Sequence, residues 1–573
     1  MVTKYSSPVK KSALATYSGP GSVVRLSNGI TAVVASLDDW DASICEDCRS
    51  EEERRETLEK LYIHEPYLEG ICGVDGFVVM PTRRNGWSED TAPTVSVYRF
   101  PLSQICSNWN CSRIFKAKET DTPHAKCPNP NCGFYGNQVD MFWICPNGHL
   151  EEIDWAEIAH HGKPCSSNAA IRRVTLNGPL GCKCLDCGAA SGPTNYPIRK
   201  KCNGIRAWEA DARPEECKED MTLVERTNTQ IYYPENLSVL RLPNKHGLRD
   251  DLMDWLIDRK SMLELSPEPG LLKERAERFL DELEDMSLDD FERHVKEALE
   301  PSDWDESWDE TAVRRNEWDV LTGPRPQGRA ARELLDFQDA VFPDDPDLFG
   351  GKGMFSRLVR IDRLSETRVL GGFQRLVETE DGKGFSPQEG KNLLWSRNGR
   401  KDWLPVYRAN GEGLLFVMNP VSVEKWRKTS GREASTYALA HTFAHIFLSA
   451  IAHHCGYPTA SLCERLYVEE GMHYGFLIYT ANSDYLGTLG GLVDLADSEA
   501  LCEIMRRAIE EARWCPQDPV CIGSDRGGYG GACHHCCMLP ETSCESRPRN
   551  SHLDRALLIG RGSTTGFVEY QSR

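Results

Sequence analysis

The clearest periodicity lies in the middle of the chain. Leu272, Ala276, Phe279 and Leu283 recur at steps of four, three and four residues, the spacing of one helix face. Ser287 with Asp290 marks a second helix start, and Phe291, Val295 and Leu299 continue the same kind of stripe. Nearer the N-terminus, residues 15–35 alternate and break at "SGPGS" and at Asn28-Gly29, which predicts short strands joined by turns. Residues 50–62 predict a charged helix, and residues 301–329, "PSDWDESWDE" to "GPRPQGR", a linker or extended loop. From Ile105 to Cys217 the pattern dissolves into Gly, Pro, Asn and Cys, the composition of small modules stapled by metal. Mixed strands and helices occupy 352–513, and a second cysteine cluster follows them.

These segments predict an α+β multidomain fold with zinc-ribbon-like modules in its N-terminal half. The expected domains are a β-rich one at 1–104, zinc-binding modules at 105–247 and an acidic helical region with linker at 248–350. A mixed α/β C-terminal domain, closed by a four-cysteine zinc cluster, takes 351–573. At 573 residues the chain is too long for one core, and 40% hydrophobic residues suffice to build several.

Composition adds the compartment. The N-terminal "MVTKYSSPVKK" has no apolar stretch resembling a signal peptide. The longest apolar run, 15 residues from Ala438, holds two histidines and is too short to span a bilayer. A cytoplasmic protein without a membrane partner is expected. Thiols are kept reduced there, so 23 cysteines read as metal ligands before they read as disulfides.

A net charge of −20 argues against a simple nucleic-acid binder, but the charge is uneven. Residues 248–310 hold 22 acidic and 8 basic side chains, a balance of −14, which leaves −6 for all the rest. Residues 352–376 carry six basic and two acidic residues; 391–408 carry five and one, with Trp395 and Trp403 interleaved. Basic stretches with aromatics can hold phosphates and stack bases. Arg357, Arg360, Arg363, Arg368, Arg397, Arg400 and Lys401 are the candidate DNA contacts; a solvated strand-and-loop surface is the plainer reading.

Zinc takes four soft or borderline ligands in a tetrahedron, and C-x(2–4)-C hooks supply two at a time. Cys106-x4-Cys111 and Cys127-x4-Cys132 make one set. Cys184-x2-Cys187 with Cys202 and Cys217 makes a second, with Cys182 as a spare. Cys145-x3-His149 and His161-x3-Cys165 make a third, with His160 as rival to His161. Cys515 and Cys521 pair with Cys533-x2-Cys536 in a fourth, Cys544 standing as a fifth candidate and Cys537 as a spectator. Three or four zinc ions per chain are therefore expected. Sites filled by four protein ligands are structural, so chemistry has to be sought elsewhere.

That search finds little. His441 and His445 lie four apart on one helix face but lack the glutamate of a zinc-peptidase helix, and core or interface histidines explain them more simply. Each Gly-Lys pair, at 162, 351, 382 and 390, is followed by Pro, Gly, Gly or Asn, so no ATP-binding P-loop is present. His294-x-Lys296 lacks the aspartate of a phospholipase D half-motif, and "GTLGGL" (487–492) reads equally well as tight turns. No catalytic set and no small-molecule substrate are expected.

"YALAHTFAHIFLSAI", "GFLIYTANSDYLGTLGGLV" and "DPVC…GACHHCCMLPETSCE…NSHLDRALL" together resemble the C-terminal domain shared by certain DNA-repair helicases and by DrmB, a core protein of bacterial DISARM anti-phage systems. "YSGPGSVVRL", "CPNGHLEEIDW", "GGFQRL" and "GEGLLF" resemble DrmB specifically. In the helicases the cluster is tighter, roughly C-x-C before C-x-x-C; here five residues separate Cys515 from Cys521 and an eleven-residue insert, 522–532, separates the hooks. The fourth ligand is thus open between Cys515 and Cys544. The resemblance implies a defence subunit that pairs with DrmA, a superfamily-two helicase, on phage DNA, the partner supplying the motor. A metal-dependent hydrolase or nuclease built on His441 and His445 is one alternative; a scaffold that never touches DNA is another. The acidic region could dock on a partner or mimic the charge of DNA.

Structural zinc in small modules contributes on the order of 10 kcal/mol to folding. Replacing Cys127 or Cys533 by serine is expected to give insoluble or protease-sensitive protein; a soluble, protease-resistant Cys533→Ser chain would remove the structural role of its cluster.

Overall fold

Short antiparallel sheets carry the cysteine-rich half of the chain. The computed structural model describes residues 5–8, 11–44, 48–59, 61–80, 94–118, 123–161, 165, 170–175, 180–191, 199–209, 214–228, 231–243, 269–277, 287–299, 310–326, 329–341, 345–349, 353–375, 394, 402–430, 435–480, 490–523, 530–540, 542–546, 550–561 and 565–571. Two compact units emerge: Met1–Ser238 with Arg368–Tyr407, and Val239–Thr367 with Arg408–Arg573. The chain passes between them inside three strands, Tyr233–Leu240, Phe355–Gln374 and Trp403–Met418, rather than at a polar linker.

In the first unit, Val23–Arg25 and Thr31–Val34 form a hairpin, the Gly29 amide donating to the Leu26 carbonyl at 2.9 Å. Gly29 sits at φ +87°, the left-handed region that a tight hairpin turn needs and a Cβ opposes. Strands Thr94–Arg99 and Tyr5–Pro8 complete that sheet. A five-stranded sheet follows in the order Cys182–Cys184, Ile171–Arg173, Arg113–Lys116, Ser103–Cys106, Gly136–Gln138. A four-stranded one orders Leu150–Glu151, Met141–Ile144, Asp220–Glu225 and Arg199–Lys201. Their shared core is small: Ile114, Trp143, Ile153, Trp155, Ile171 and Met221 pack among buried cysteines.

Arg375, the last cation of the basic run, is a core residue of this unit. Its guanidinium donates to the carbonyls of Gly148 (2.6 Å), Gly21 (2.8 Å) and Ile231, and it lies over the Trp208 and Phe373 rings. Burial without a carboxylate lowers its pKa to about 9. It braces backbone and is not available to a phosphate.

The second unit is built on strands. The Arg408–Met418 part of one long strand pairs antiparallel with His473–Thr480, which pairs in turn with Leu462–Glu469. Helix Thr436–Cys455 packs on one face of these strands, its Phe443 and Phe447 meeting Phe355 and Phe476. Ser435 caps its start by accepting from the Ala438 amide at 3.1 Å, and Gly456 at φ +72° closes its end. The other face packs against Trp318 and Leu321.

Those two residues belong to a helix, Glu310–Thr322, where a linker is expected from sequence; residues 301–309 lie outside the described ones. The reason is Glu317. It stands in the buried stripe with Val313, Trp318 and Leu321, and a carboxylate at that position hides the apolar periodicity. Its charge is satisfied in place. Arg465 makes two bonds of 2.7 Å to it, Tyr467 donates at 3.1 Å, the Leu240 amide at 2.9 Å and Arg314 at 3.2 Å. The acidic region supplies helices Pro269–Glu277 and Leu288–Leu299, the latter burying Phe291. Among the described residues no helix is long and apolar enough to cross a membrane.

Burial opposes ionisation of Glu317, but Arg465 and Arg314 hold its pKa below the ordinary 4.5. A depressed carboxylate stabilises the fold above its unfolded pKa and loses that contribution as pH falls through the folded one. Removing only its partner, Arg465→Met, strands a buried charge and is expected to cost about 3–5 kcal/mol in chemical denaturation. The loss should shrink as pH drops below about 4.5. A stability unchanged at pH 7 would show that Arg314 alone neutralises the site.

Candidate metal centres

Among the described residues, five groups of His, Cys or Glu have their ligand atoms within 4.8 Å of one another: four rich in cysteine and one mixed. Each could hold a metal ion.

The first joins Cys106, Cys111, Cys127 and Cys132. Cys106 lies opposite Gly136 in the sheet, and the Cys127 amide donates to the Phe134 carbonyl at 2.9 Å, so pairing of the flanking strands brings two knuckles together. The knuckles "CSNWNC" and "CPNPNC" mirror each other. Asn108 donates to Cys132 Sγ at 3.6 Å and Asn129 to Cys111 Sγ at 3.5 Å, each asparagine reaching the opposite knuckle. Such donors favour thiolate over thiol, and Cys111 falls to about 7 despite the burial that opposes it.

The next two groups exchange the partners expected from sequence. Cys145 and His149 meet Cys202 and Cys217, not His161 and Cys165. Cys184 and Cys187 meet His160 and Cys165 instead of Cys202 and Cys217. Topology accounts for it. Cys145 follows strand Met141–Ile144 and Cys202 follows strand Arg199–Lys201; both strands flank Asp220–Glu225 in one sheet. Cys184 ends a strand that contacts helix Trp155–His160 at the end of which His160 lies, in the other sheet. Nearness in sequence is overridden by which sheet each hook belongs to.

In the second group Cys145 and Cys217 sulfurs are 3.6 Å apart, and His149 Nδ1 is 3.3 Å from Cys202 Sγ. His149 Nε2 donates to Glu215 at 2.6 Å, leaving Nδ1 as the ligand atom, the arrangement in which a carboxylate orients a metal-binding imidazole. Burial would raise Glu215, but His149 and Arg206 hold it at about 2. Gly204, at φ +70°, permits this approach: a Cβ there would meet the Glu215 carbonyl oxygen at 1.8 Å.

In the third group hydrogen bonds distinguish the adjacent histidines. His160 Nδ1 donates to the Ala156 carbonyl at 2.7 Å, and its buried Nε2 has no hydrogen-bond partner among the described residues. His161 takes φ +51° and sends Nε2 to the Ala190 carbonyl, 3.1 Å away. His161 therefore falls outside the group. Cys182 does too, its thiol directed to the Trp155 carbonyl at 3.6 Å.

The fourth group is Cys515, Cys521, Cys533 and Cys536, with sulfur separations of 3.5 Å (515–533), 3.7 Å (521–536) and 3.8 Å (533–536). Arg555 braces it: two bonds of 2.7 and 2.8 Å to Asp518, one to the Ala512 carbonyl and one to the Gly531 carbonyl. Cys544, left open against Cys515 by the sequence, sits elsewhere. It joins His441, His445 and Glu464 in the fifth group. Sequence spacing could not find Glu464, which is 19 residues beyond His445 on another element.

The candidate DNA contacts fare unevenly. Arg357 pairs with Asp339 at 2.5 Å, and Arg360 with Asp362 and Asp497 at 2.7 Å each. Arg363 is exposed and Arg368 half-buried. Arg397, Arg400 and Lys401, with Trp395, lie outside the described residues.

Comparison with known proteins places the chain. It is 26% identical over 516 residues to the DISARM protein DrmB of Bacillus paralicheniformis, an alignment covering 80% of this chain and 88% of that protein. The chain is similar to DrmB over most of its length. Residues 10–233 also match a domain of unknown function, DUF8724. That span takes in the first three cysteine-rich groups of this chain and ends before the fourth.

His160→Ala is expected to lower the metal content of the purified chain by one ion and expose residues around 155–191 to protease. His161→Ala should leave both unchanged. Equal loss in the two variants, measured by elemental analysis and limited proteolysis, would contradict the hydrogen-bond assignment.

Proposed function

We propose that this chain is a non-catalytic, zinc-stapled subunit of a DISARM anti-phage defence complex, docking on a DrmA-type superfamily-two helicase and contributing to contact with phage DNA. The similarity to DrmB over 80% of the chain carries the reading. Zinc suits the four cysteine-rich groups, since thiolate and imidazole are its preferred structural ligands and reduced thiols are what a cytoplasmic chain offers. The sequence has no P-loop, so a partner supplies ATP hydrolysis and this chain supplies surface.

Contact with DNA is the finer part of the proposal and falls on fewer residues than the basic run suggests. Arg357 and Arg360 are already neutralised by aspartates, and Arg375 is buried. Exposed Arg363 is the remaining cation of that strand best suited to a phosphate. With a net charge of −20, binding is expected in the complex rather than by the isolated chain.

The test is co-purification with the helicase, followed by DNA binding across a salt series. Arg363→Ala should weaken binding alike on all sequences and flatten the log-affinity against log-salt slope by about one unit. Arg357→Ala should change it less. Failure to co-purify would overturn the docking. An unchanged slope for Arg363→Ala in an intact complex would make the chain a scaffold on which the helicase alone holds DNA.

A further inference from the structure

The fifth group differs from the others in being sealed. His441, His445, Glu464 and Cys544 are each 3% exposed or less. They come from three elements of the second unit: the helix Thr436–Cys455, the strand Leu462–Glu469 and the segment following Leu539.

Hydrogen bonds around the group decide which atoms face its centre. A carbonyl oxygen only accepts, so His445 Nδ1, 2.7 Å from the Cys537 carbonyl, must be the donor. Nε2 of the neutral ring then carries a lone pair, and it faces Glu464 Oε1 at 3.2 Å. His441 Nε2 lies 2.9 Å from that same oxygen and 3.4 Å from Cys544 Sγ. The Glu545 amide already donates to Oε1 at 3.1 Å, and the Asn550 amide to Cys544 Sγ at 3.2 Å. Imidazole lone pairs, a carboxylate and a sulfur thus converge on one point. Hydrogen bonds from both rings to Glu464 would require His445 to be charged, since its Nδ1 already donates to a carbonyl, in a fully buried site with the His441 ring centroid 4.5 Å away. Glu464 Oε2 is buried with no hydrogen-bond partner among the described residues, which such a network would be expected to use.

A divalent cation would take the Nε2 lone pairs, Glu464 Oε1 and Cys544 Sγ together. Two neutral imidazoles, one carboxylate and one thiolate balance its charge. Metal bonds of 2.0–2.3 Å in a tetrahedron set ligand atoms roughly 3.3–3.8 Å apart, close to the separations found here. We propose that His441, His445, Glu464 and Cys544 bind a fifth zinc ion in a closed, structural site. Sulfur with two imidazoles selects zinc over magnesium or calcium. Four protein ligands and complete burial leave no open coordination position, so the histidine pair serves packing and not hydrolysis.

The test is an anomalous difference map, recorded at the zinc edge, from crystals of the full chain alone or with its partner. Native mass spectrometry of the same protein supplies the count. Five ions, one of them bonded to His441, His445, Glu464 and Cys544, is the expected result, and Cys544→Ala should bind four. If that variant does not fold, the map of the unmodified chain still decides. Peaks at the four cysteine-rich groups and none here would overturn this site while leaving the zinc-stapled subunit intact. A peak here and none at those groups would support this site and remove the staples from the proposed function.

Discussion

A β-strand sends successive side chains to opposite faces, and strand Leu462–Glu469 uses that alternation to bury a carboxylate and a guanidinium back to back. Leu462, Glu464 and Leu466 face the helix carrying His441 and His445; Cys463, Arg465 and Tyr467 face the helix carrying Glu317. Neither charge could stay there alone, because an isolated ion in a protein interior costs several kcal/mol. Each therefore dictates what covers its side of the sheet. Arg465 requires Glu317, and Glu464 requires the two histidines with whatever they hold. The second unit is arranged around those two demands.

The first unit meets a different constraint. Its sheets are a few residues wide, and the core between them is small for the length of chain it organises. Hydrophobic burial in so little volume leaves a module marginal. The cysteines that could cross-link such a module through metal sit where strands end: Cys106, Cys184, and Cys145 and Cys202 one residue beyond theirs. Asparagines, glutamate and arginine around them fix ligand atoms and tautomers, as Asn108, Asn129 and the His149–Glu215–Arg206 chain illustrate.

The same accounting of charge narrows what the surface can do. Basic residues clustered in sequence look like a phosphate-binding strip, yet Arg357, Arg360 and Arg375 are engaged by aspartates or backbone carbonyls. A cation already paired gains little from a phosphate, so a count of arginines overstates an electrostatic footprint. What an overall acidic chain offers a nucleic acid is then local.

The sequence by itself determined the kinds of element and the kinds of ligand. Helix Leu288–Leu299 and the hairpin around Gly29 follow from periodicity and turn chemistry, which act within a few residues. The first and fourth cysteine groups follow from hook spacing, because both hooks of each lie close along the chain. Which hook meets which, for Cys145, His149, Cys202 and Cys217 against His160, Cys165, Cys184 and Cys187, was decided by strand pairing over long separations. Helix Glu310–Thr322 was unreadable because its buried face contains Glu317, whose partner Arg465 is 148 residues away. Glu464 and Cys544 were unreadable as companions of the histidines for the same reason. A charge looks like surface until the fold places its counter-charge beside it, and only the tertiary structure does that.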